Sequence, residues 1–304
     1  MAKHAQQIGD ISLRKKSIVL LIPYFGSWPN WFAFFLESCR RNSDINWLFY
    51  TDCPVPENVP PNVRFNQISY ADYKQHVSNK LGIVFDPQSP YKLCDLKPAF
   101  GYIHDEDIRE YDVWGFSDID LVYGDLRGYF TEEKLSRYSL ISTHERRVSG
   151  HFCLMHNSKK MRTAFMRIKN WQQRLASQEH YALDEGAFSR IFIRHKNLPK
   201  PLFELLGKLN PWRRNSEFSE AFTTPNAGLA WEDGSFNFPE KWYWIDGVVS
   251  NDLRPDKSYP YFHFFEWKLL WKGKCFNLVC GGCSSSTQWV ISESGIKAVG
   301  DKND

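Results

Sequence analysis

Between Tyr111 and Leu126 the chain reads Tyr-Asp-Val-Trp-Gly-Phe-Ser-Asp-Ile-Asp-Leu-Val-Tyr-Gly-Asp-Leu, an apolar approach that stops at two aspartates one residue apart and then turns apolar again. Alternate residues of an extended chain share a face, so Asp118 and Asp120 point together into the space beyond a strand end. Two carboxylates between apolar flanks are costly to bury unless a cation or another partner meets them. Hard divalent ions such as Mg²⁺ and Mn²⁺ prefer carboxylate oxygen, and Mg²⁺ is often shared with substrate phosphates. The competing reading is a solvated turn, because aspartate is common where strands end. Val113-Trp-Gly-Phe116 and Leu121-Val-Tyr-Gly-Asp-Leu126 are too apolar for an exposed turn, and the pattern points to a nucleotide-using enzyme.

The segments around this motif set out an α/β frame. Ile18–Ile22 is a continuous apolar run closed by Pro23, as in a strand buried on both faces. Trp28–Cys39 reads as an amphipathic helix, Asn46–Tyr50 as a second strand ending at Thr51-Asp52, and Pro54–Pro61 as a loop. Strand, helix and strand in this order predict a right-handed parallel unit with ligand loops at the carboxyl ends of its strands. Lys92–Ile103 reads as a helix carrying Lys92, Asp95 and Lys97 on one arc, with Pro98 tightening or breaking it. Ser139–Ser142 and Phe152–Met155 follow as strands, Lys159–Ser177 as a basic amphipathic helix, and Asp184–Phe192 as a short helix. From about Lys196 to Trp244 the pattern loosens into short strands and long loops, and Gly300–Asp304 should fray. The expected fold is a single α/β domain over 1–304, a Rossmann-like mixed sheet flanked by helices with a loop-rich aromatic C-terminal part. Residues 1–125 form its nucleotide half and 126–304 its acceptor half.

Composition narrows the partners. A net charge of +3 without a long basic tract argues against nucleic acid, although an anionic membrane surface or a phosphate-rich ligand is permitted. The aromatic content of 16% fills a core in the ordinary case, and it also permits stacking on sugar rings. No apolar run approaches membrane-spanning length, and Ser17–Ile22 is too short for a signal-peptide core, so a cytosolic chain is expected. The seven cysteines are odd in number and scattered. Cys275, Cys280 and Cys283 cluster without a nearby fourth ligand and read as reduced thiols rather than a zinc site.

Taken in order, Ile18–Ile22 leading to Pro23-Tyr24, Tyr50-Thr51-Asp52, the Lys92–Phe100 helix, Ser117-Asp118-Ile119-Asp120, Asp184-Glu185 and His263 resemble nucleotide-sugar glycosyltransferases of the GT-A fold. The similarity is to bacterial polysaccharide and lipopolysaccharide transferases, with glycogenin-type retaining enzymes as more distant relatives. The resemblance implies Mn²⁺ or Mg²⁺ held by Asp118 and Asp120 against the diphosphate of the donor. It implies His263 as a third ligand and Lys268 as a phosphate-facing cation, against a core histidine as the alternative. The glycine and Lys-Pro pairing of glycogenin-like enzymes are missing here.

The same resemblance places Tyr24 and Asp52 at the nucleotide and Lys92, Asp95 and Lys97 at the diphosphate and donor sugar. Asp52 also reads as a turn cap, and the three helix residues as a surface ion-pair set. Asp184 and Glu185 are the expected catalytic pair, or else helix-start acids, and His151 lines the acceptor side. An inverting enzyme needs a carboxylate base for the acceptor hydroxyl, whereas a retaining one can use the leaving phosphate; both stay open, with retention ahead. The implied activity is transfer of a hexose, with UDP-galactose as the first guess, to a surface glycan or lipid-linked acceptor, with peripheral contact to the inner membrane permitted. A noncatalytic carbohydrate-binding protein is the alternative, and a metal-dependent phosphodiesterase or nucleotidyltransferase a third reading.

Overall fold

The apolar runs become the centre of a sheet. In the computed structural model, which describes residues 14–194, 198–274, 276 and 288–299, strands β1 (Ile18–Pro23) and β2 (Ile45–Thr51) pair in parallel, with Ile18 opposite Ile45 and Pro23 opposite Tyr50. Helix α1 (Phe32–Arg40) connects them. Strand β3 (Val63–Gln67) adds in parallel outside β2, and helix α2 (Tyr70–Leu81) follows it, started by Ser69 accepting from Asp72 N–H and stopped by Gly82 at φ 64°. The αL conformation at that stop suits glycine, which lacks a clashing Cβ.

Strand β4 (Val113–Ser117) then returns to the other side of β1, again in parallel. The order β3-β2-β1-β4 therefore reverses direction between β1 and β4, and open α/β sheets bind ligands outside the carboxyl ends at such a switch. Tyr24 and Asp118 leave the sheet there. β5 (Leu121–Tyr123) departs from the sheet, while β6 (Leu140–Ser142), β7 (Phe152–His156) and β8 (Ser216–Phe218) complete it in the order β4-β7-β6-β8. Because β7 runs antiparallel to β4 and β6, the seven-stranded sheet is mixed, as expected. Gly115 is required at the β4–β7 seam: a Cβ there would sit 2.4 Å from Cys153 O.

Two apolar clusters cover the two faces of this sheet, one around Leu21, Phe100 and Phe116, the other around Leu20, Phe35 and Phe49. A third lies under a four-stranded sheet in the order β10-β9-β12-β13, formed by β9 (Lys241–Ile245) and β10 (Val248–Asn251) and, beyond β11 (Tyr261–His263), by β12 (Gln288–Ser292) and β13 (Gly295–Ala298). Trp244 stacks on Trp289 at 3.9 Å and donates its indole N–H to Tyr123 O at 2.8 Å. Much of the aromatic content is thus core.

Several predicted helices are shorter than the periodicity suggested. Lys159–Ser177 is broken into Lys159–Arg162, a 3₁₀ turn Ala164–Arg167 and Trp171–Ala176. Thr163 Oγ1 bonds back to Lys159 O and Asn170 adopts φ 57°, local choices by which Thr and Asn compete with helix. Lys92–Ile103 is a 3₁₀ helix Pro90–Ala99 passing into a single turn Phe100–Ile103, with Pro98 inside it. Asp184–Phe192 opens as a π-helical turn, Asp184–Phe188. The first helix starts at Phe32 rather than Trp28, whose ring instead stacks on Phe32 at 3.9 Å. The loosened C-terminal segment holds an unforeseen helix, Lys200–Leu209. Among the described residues no helix is long and apolar enough to cross a membrane. Cys275, Cys280, Cys283 and Gly300–Asp304 lie outside the described residues.

Candidate active site

The aspartate pair is built by strand register. β5 pairs antiparallel with β11, placing His263 opposite Leu121, one residue beyond Asp120, and Phe264 N–H donates to Asp120 O at 3.1 Å. Asp118 N–H donates to His151 O at 2.9 Å, and the Trp31 indole donates to Ile119 O at 3.0 Å, so each of the three residues Asp118–Asp120 is fastened by its backbone to a different element. Ile119 is buried between the two acids.

Asp118, Asp120 and His263 each offer a ligand atom, and the three atoms lie within 4.8 Å of one another. His263 Nε2 is 3.5 Å from Asp120 Oδ2, while its Nδ1 faces Thr224 Oγ1 at 3.1 Å, a contact that fixes the ring and leaves Nε2 toward the acids. Lys97 Nζ reaches Asp118 Oδ1 at 2.6 Å and Gly150 O at 2.7 Å. Lys268 Nζ reaches Asp120 Oδ2 at 2.5 Å. Burial opposes the charge on Asp120, yet His263 and Lys268 outweigh it and hold the carboxyl well below the usual carboxylate range. Two carboxylates and one imidazole make a donor set that could hold a divalent metal ion. With a lysine on each acid the four charges already cancel, so a dication fits best together with an anion.

Two cavities meet at these acids. One, about 410 Å³, is walled by Tyr24, Phe25, Trp31, Tyr91, Leu93 and Phe100 among others, an aromatic and aliphatic lining. The other, about 430 Å³, is polar, with His144, Arg147, His151, Asp184, Glu185 and Glu220 in its walls. Lys97, Asp118, Asp120, Lys268 and Tyr91 line both. Gly150 passes so close to the acids behind it that a Cβ would lie 2.7 Å from Glu185 Oε1 and 3.0 Å from Asp184 Oδ2.

Burial pushes the Asp184 carboxyl up to about 6, against the pull of Lys97, and Asp184 Oδ1 accepts from Glu185 N–H at 2.8 Å. Glu185 Oε2 is 3.6 Å from Arg147 Nε. Burial likewise raises Glu220 to about 7; its Oε1 accepts from Phe222 N–H and its Oε2 faces His144 Nδ1 at 3.9 Å. His151 stacks on His263 at 4.1 Å, and burial followed by that neighbour's charge drives its pKa well below the ordinary value.

The other sequence-predicted residues fall in different places. Tyr24 lines the aromatic cavity with its ring stacked on Trp28 at 5.2 Å. Asp52 is exposed, accepts from Gly26 N–H at 2.9 Å and lines neither cavity. Lys92 and Asp95 line neither cavity and have side chains 2% and 0% exposed. Lys92 Nζ donates to Asp95 and to the carbonyls of Arg174 and Glu179, while Asp95 accepts from Tyr181 and Leu183 N–H, fastening the loop that leads into Asp184. Sequence reasoning did not find Glu220, Arg147, Tyr91 or Trp31. None sits in a motif, and only their convergence in three dimensions marks them.

Solved structures similar to the chain include the galactosyltransferase LgtC in complex with donor and acceptor sugar analogs, at 13% identity and TM-score 0.35 over 66% of this chain and 86% of that one. The glycosyltransferase GlyE of Streptococcus pneumoniae matches at 13% identity and TM-score 0.30, over 68% of this chain and 46% of its own length. Mouse xyloside xylosyltransferase 1 matches at 12% identity and TM-score 0.34, over 68% and 87%. No curated protein sequence matches. The family model described as a family of unknown function, DUF6625, matches residues 20–274, and the chain belongs to that family.

Proposed function

We propose that the chain is a glycosyltransferase that uses a divalent metal and a nucleotide diphosphate sugar. One observation carries the reading: the Asp118, Asp120 and His263 group stands at the junction of an aromatic cavity and a polar, carboxylate-lined one. A base and ribose suit the first, hydroxyl-rich sugars the second, and a diphosphate the cationic boundary between them. Mn²⁺ or Mg²⁺ held by the three ligands would neutralise charge on the departing diphosphate as a Lewis acid. Lys97 and Lys268, bonded to the aspartates, are the cations available to phosphate oxygens. Asp184 and Glu185 orient the donor sugar or handle the acceptor proton, and a carboxyl near 6 is suited to holding or releasing a proton around neutrality. His151 belongs to the acceptor side.

The finer reading is a cytoplasmic hexosyltransferase, UDP-galactose being the first donor to try, with a bacterial surface glycan or lipid-linked glycan as acceptor and retention of configuration ahead of inversion. The test is nucleoside diphosphate release from a panel of nucleotide sugars across Mn²⁺ concentrations. Metal-dependent release abolished by Asp120→Ala supports the reading. Release of a nucleoside monophosphate, or turnover indifferent to Mn²⁺ and to Asp120, overturns it.

A further inference from the structure

Two buried polar atoms in the walls of the polar cavity receive or make no hydrogen bond among the described residues: Glu220 Oε2, an acceptor, and Arg147 Nε, a donor. The other Glu220 oxygen accepts from Phe222 N–H at 3.2 Å. His144 Nδ1 lies 3.9 Å from Oε2 but already accepts from Arg146 N–H at 3.1 Å, which leaves no proton on that nitrogen to give. Arg147 Nε stands 3.6 Å from Glu185 Oε2, beyond hydrogen-bond reach. The backbone around Glu220 is fixed, because Ser219 and Ala221 N–H donate to Ser142 and Thr143 O on either side of it. A buried carboxylate oxygen without a donor is costly, and burial accordingly lifts Glu220 to about 7.

The same walls carry an exposed phenyl ring. Phe265, two residues beyond His263, is 42% exposed and lines this cavity but not the aromatic one. Held open among ionisable side chains, it forgoes the burial that apolar rings gain in a core. Five carboxylates stand in the lining against two lysines and one arginine, so an anionic guest meets an excess of like charge.

We propose that the polar cavity takes a neutral pyranose unit of the acceptor, with Glu220 Oε2 accepting from one hydroxyl, Arg147 Nε donating to a hydroxyl oxygen, and Phe265 lying against the C–H face of the ring. The inference rests on the glycosyltransferase reading and adds the residues that select the acceptor. A hydroxyl is both donor and acceptor, so it satisfies either orphaned atom, and a pyranose carries hydroxyls at its rim and C–H groups on its faces.

The test is saturation-transfer NMR on the full chain with methyl glucoside, galactoside, mannoside and glucuronide, in Mg²⁺ with and without UDP. The wild type is expected to pass saturation to at least one of the neutral glycosides, most strongly to ring C–H protons of one face. Glu220→Gln replaces the orphaned acceptor by an N–H donor and should weaken that binding by roughly tenfold or more. Phe265→Ala should weaken it roughly three- to tenfold. A melting curve for each variant verifies folding; a Glu220 that is only structural would lower the melting temperature of Glu220→Gln and leave the dissociation constant where it was. No saturation of any neutral glycoside, glucuronide bound as tightly as the neutral glycosides, or variants that bind as the wild type does overturns the proposal. The donor side is read separately, as the shift in melting temperature with Mn²⁺ and nucleoside diphosphates. Glycoside binding without that shift leaves the sugar site and removes the catalytic reading, whereas the shift without glycoside binding removes only the acceptor assignment.

Discussion

Replacing Asp184 by Asn isolates the energetic consequence of keeping a buried carboxylate in the polar cavity. Asp184 is 4% exposed, and burial lifts its carboxyl from the ordinary 3.8 to about 6, with Lys97 pulling the other way and Glu185 and Asp118 adding to the rise. A raised acid binds its proton more tightly folded than unfolded, so the folded state loses stability as pH climbs from the unfolded pKa to the folded one. At 1.36 kcal/mol per unit the penalty reaches about 3 kcal/mol above the folded value, of which about 1 kcal/mol is already present at pH 4.5. Asn carries no such penalty, and its carbonyl can still accept from Glu185 N–H. The stability of Asp184→Asn relative to the wild type should therefore rise by about 2 kcal/mol between pH 4.5 and 7.5. Urea unfolding of both proteins at the two pH values measures it, with equal slopes required for the comparison. Parallel profiles separated by a constant offset would refute the argument, since they would mean that the Asp184 charge is not penalised by its surroundings. A variant that gains stability at neutral pH while losing transfer activity would identify Asp184 as a group retained for function at the expense of the fold.

Other substitutions separate the site from its support. Asp120→Ala should abolish metal-dependent nucleotide release while the far-UV spectrum is unchanged, and His263→Ala should raise the Mn²⁺ concentration needed for half-maximal release; a fall in melting temperature with unchanged metal dependence would instead make His263 structural. Glu185→Gln should slow transfer by roughly 10²–10⁴ if Glu185 moves the acceptor proton, read as initial rate at saturating donor. Asp95→Ala strands the buried Lys92 ammonium and frees the loop that leads into Asp184, and should cost about 3–5 kcal/mol in urea unfolding while leaving the Mn²⁺ concentration for half-maximal release unchanged. Gly150→Ala pushes a methyl into the side chains of Glu185 and Asp184 and should lower the rate, read as initial rate at saturating donor.

The parallel strands were legible because Ile18–Ile22 and Asn46–Tyr50 must be buried on both faces, which leaves few alternatives for their placement. Asp118 and Asp120 were legible for the converse reason, as charges that an apolar frame cannot absorb unaided. Helix lengths were less so: Thr163 and Asn170 end a stretch whose hydrophobic period continues past them, and side-chain competition for backbone groups leaves no trace in that period. The proximity of His263 to Asp120 follows from the register of β11 on β5, a pairing between segments about 140 residues apart that no local pattern encodes. Glu220 and Arg147 were illegible for the same reason, standing on connecting segments beside β8 and β6 and gaining their meaning only where those segments converge. Lys92 and Asp95 had the right spacing for an arc, but spacing does not say which way the arc faces, and it faces inward.

The span between Asp120 and Lys268, 148 residues, also governs when the site comes into being. At synthesis rates of roughly 5–20 residues per second, the aspartates leave the ribosome about 7–30 s before their late partners. During that interval β1, β2, β3 and β4 can already pair, because all four precede Asp118. The edge of β5, from Leu121 to Tyr123, has no β11 to cover it, and Asp120 has neither His263 nor Lys268 beside it. A chain interrupted before Tyr261 would keep the sheet strands and the aspartates but not the centre they belong to. Synthesis of Tyr261–Lys268 thus closes an open strand edge and assembles the charged centre in one event.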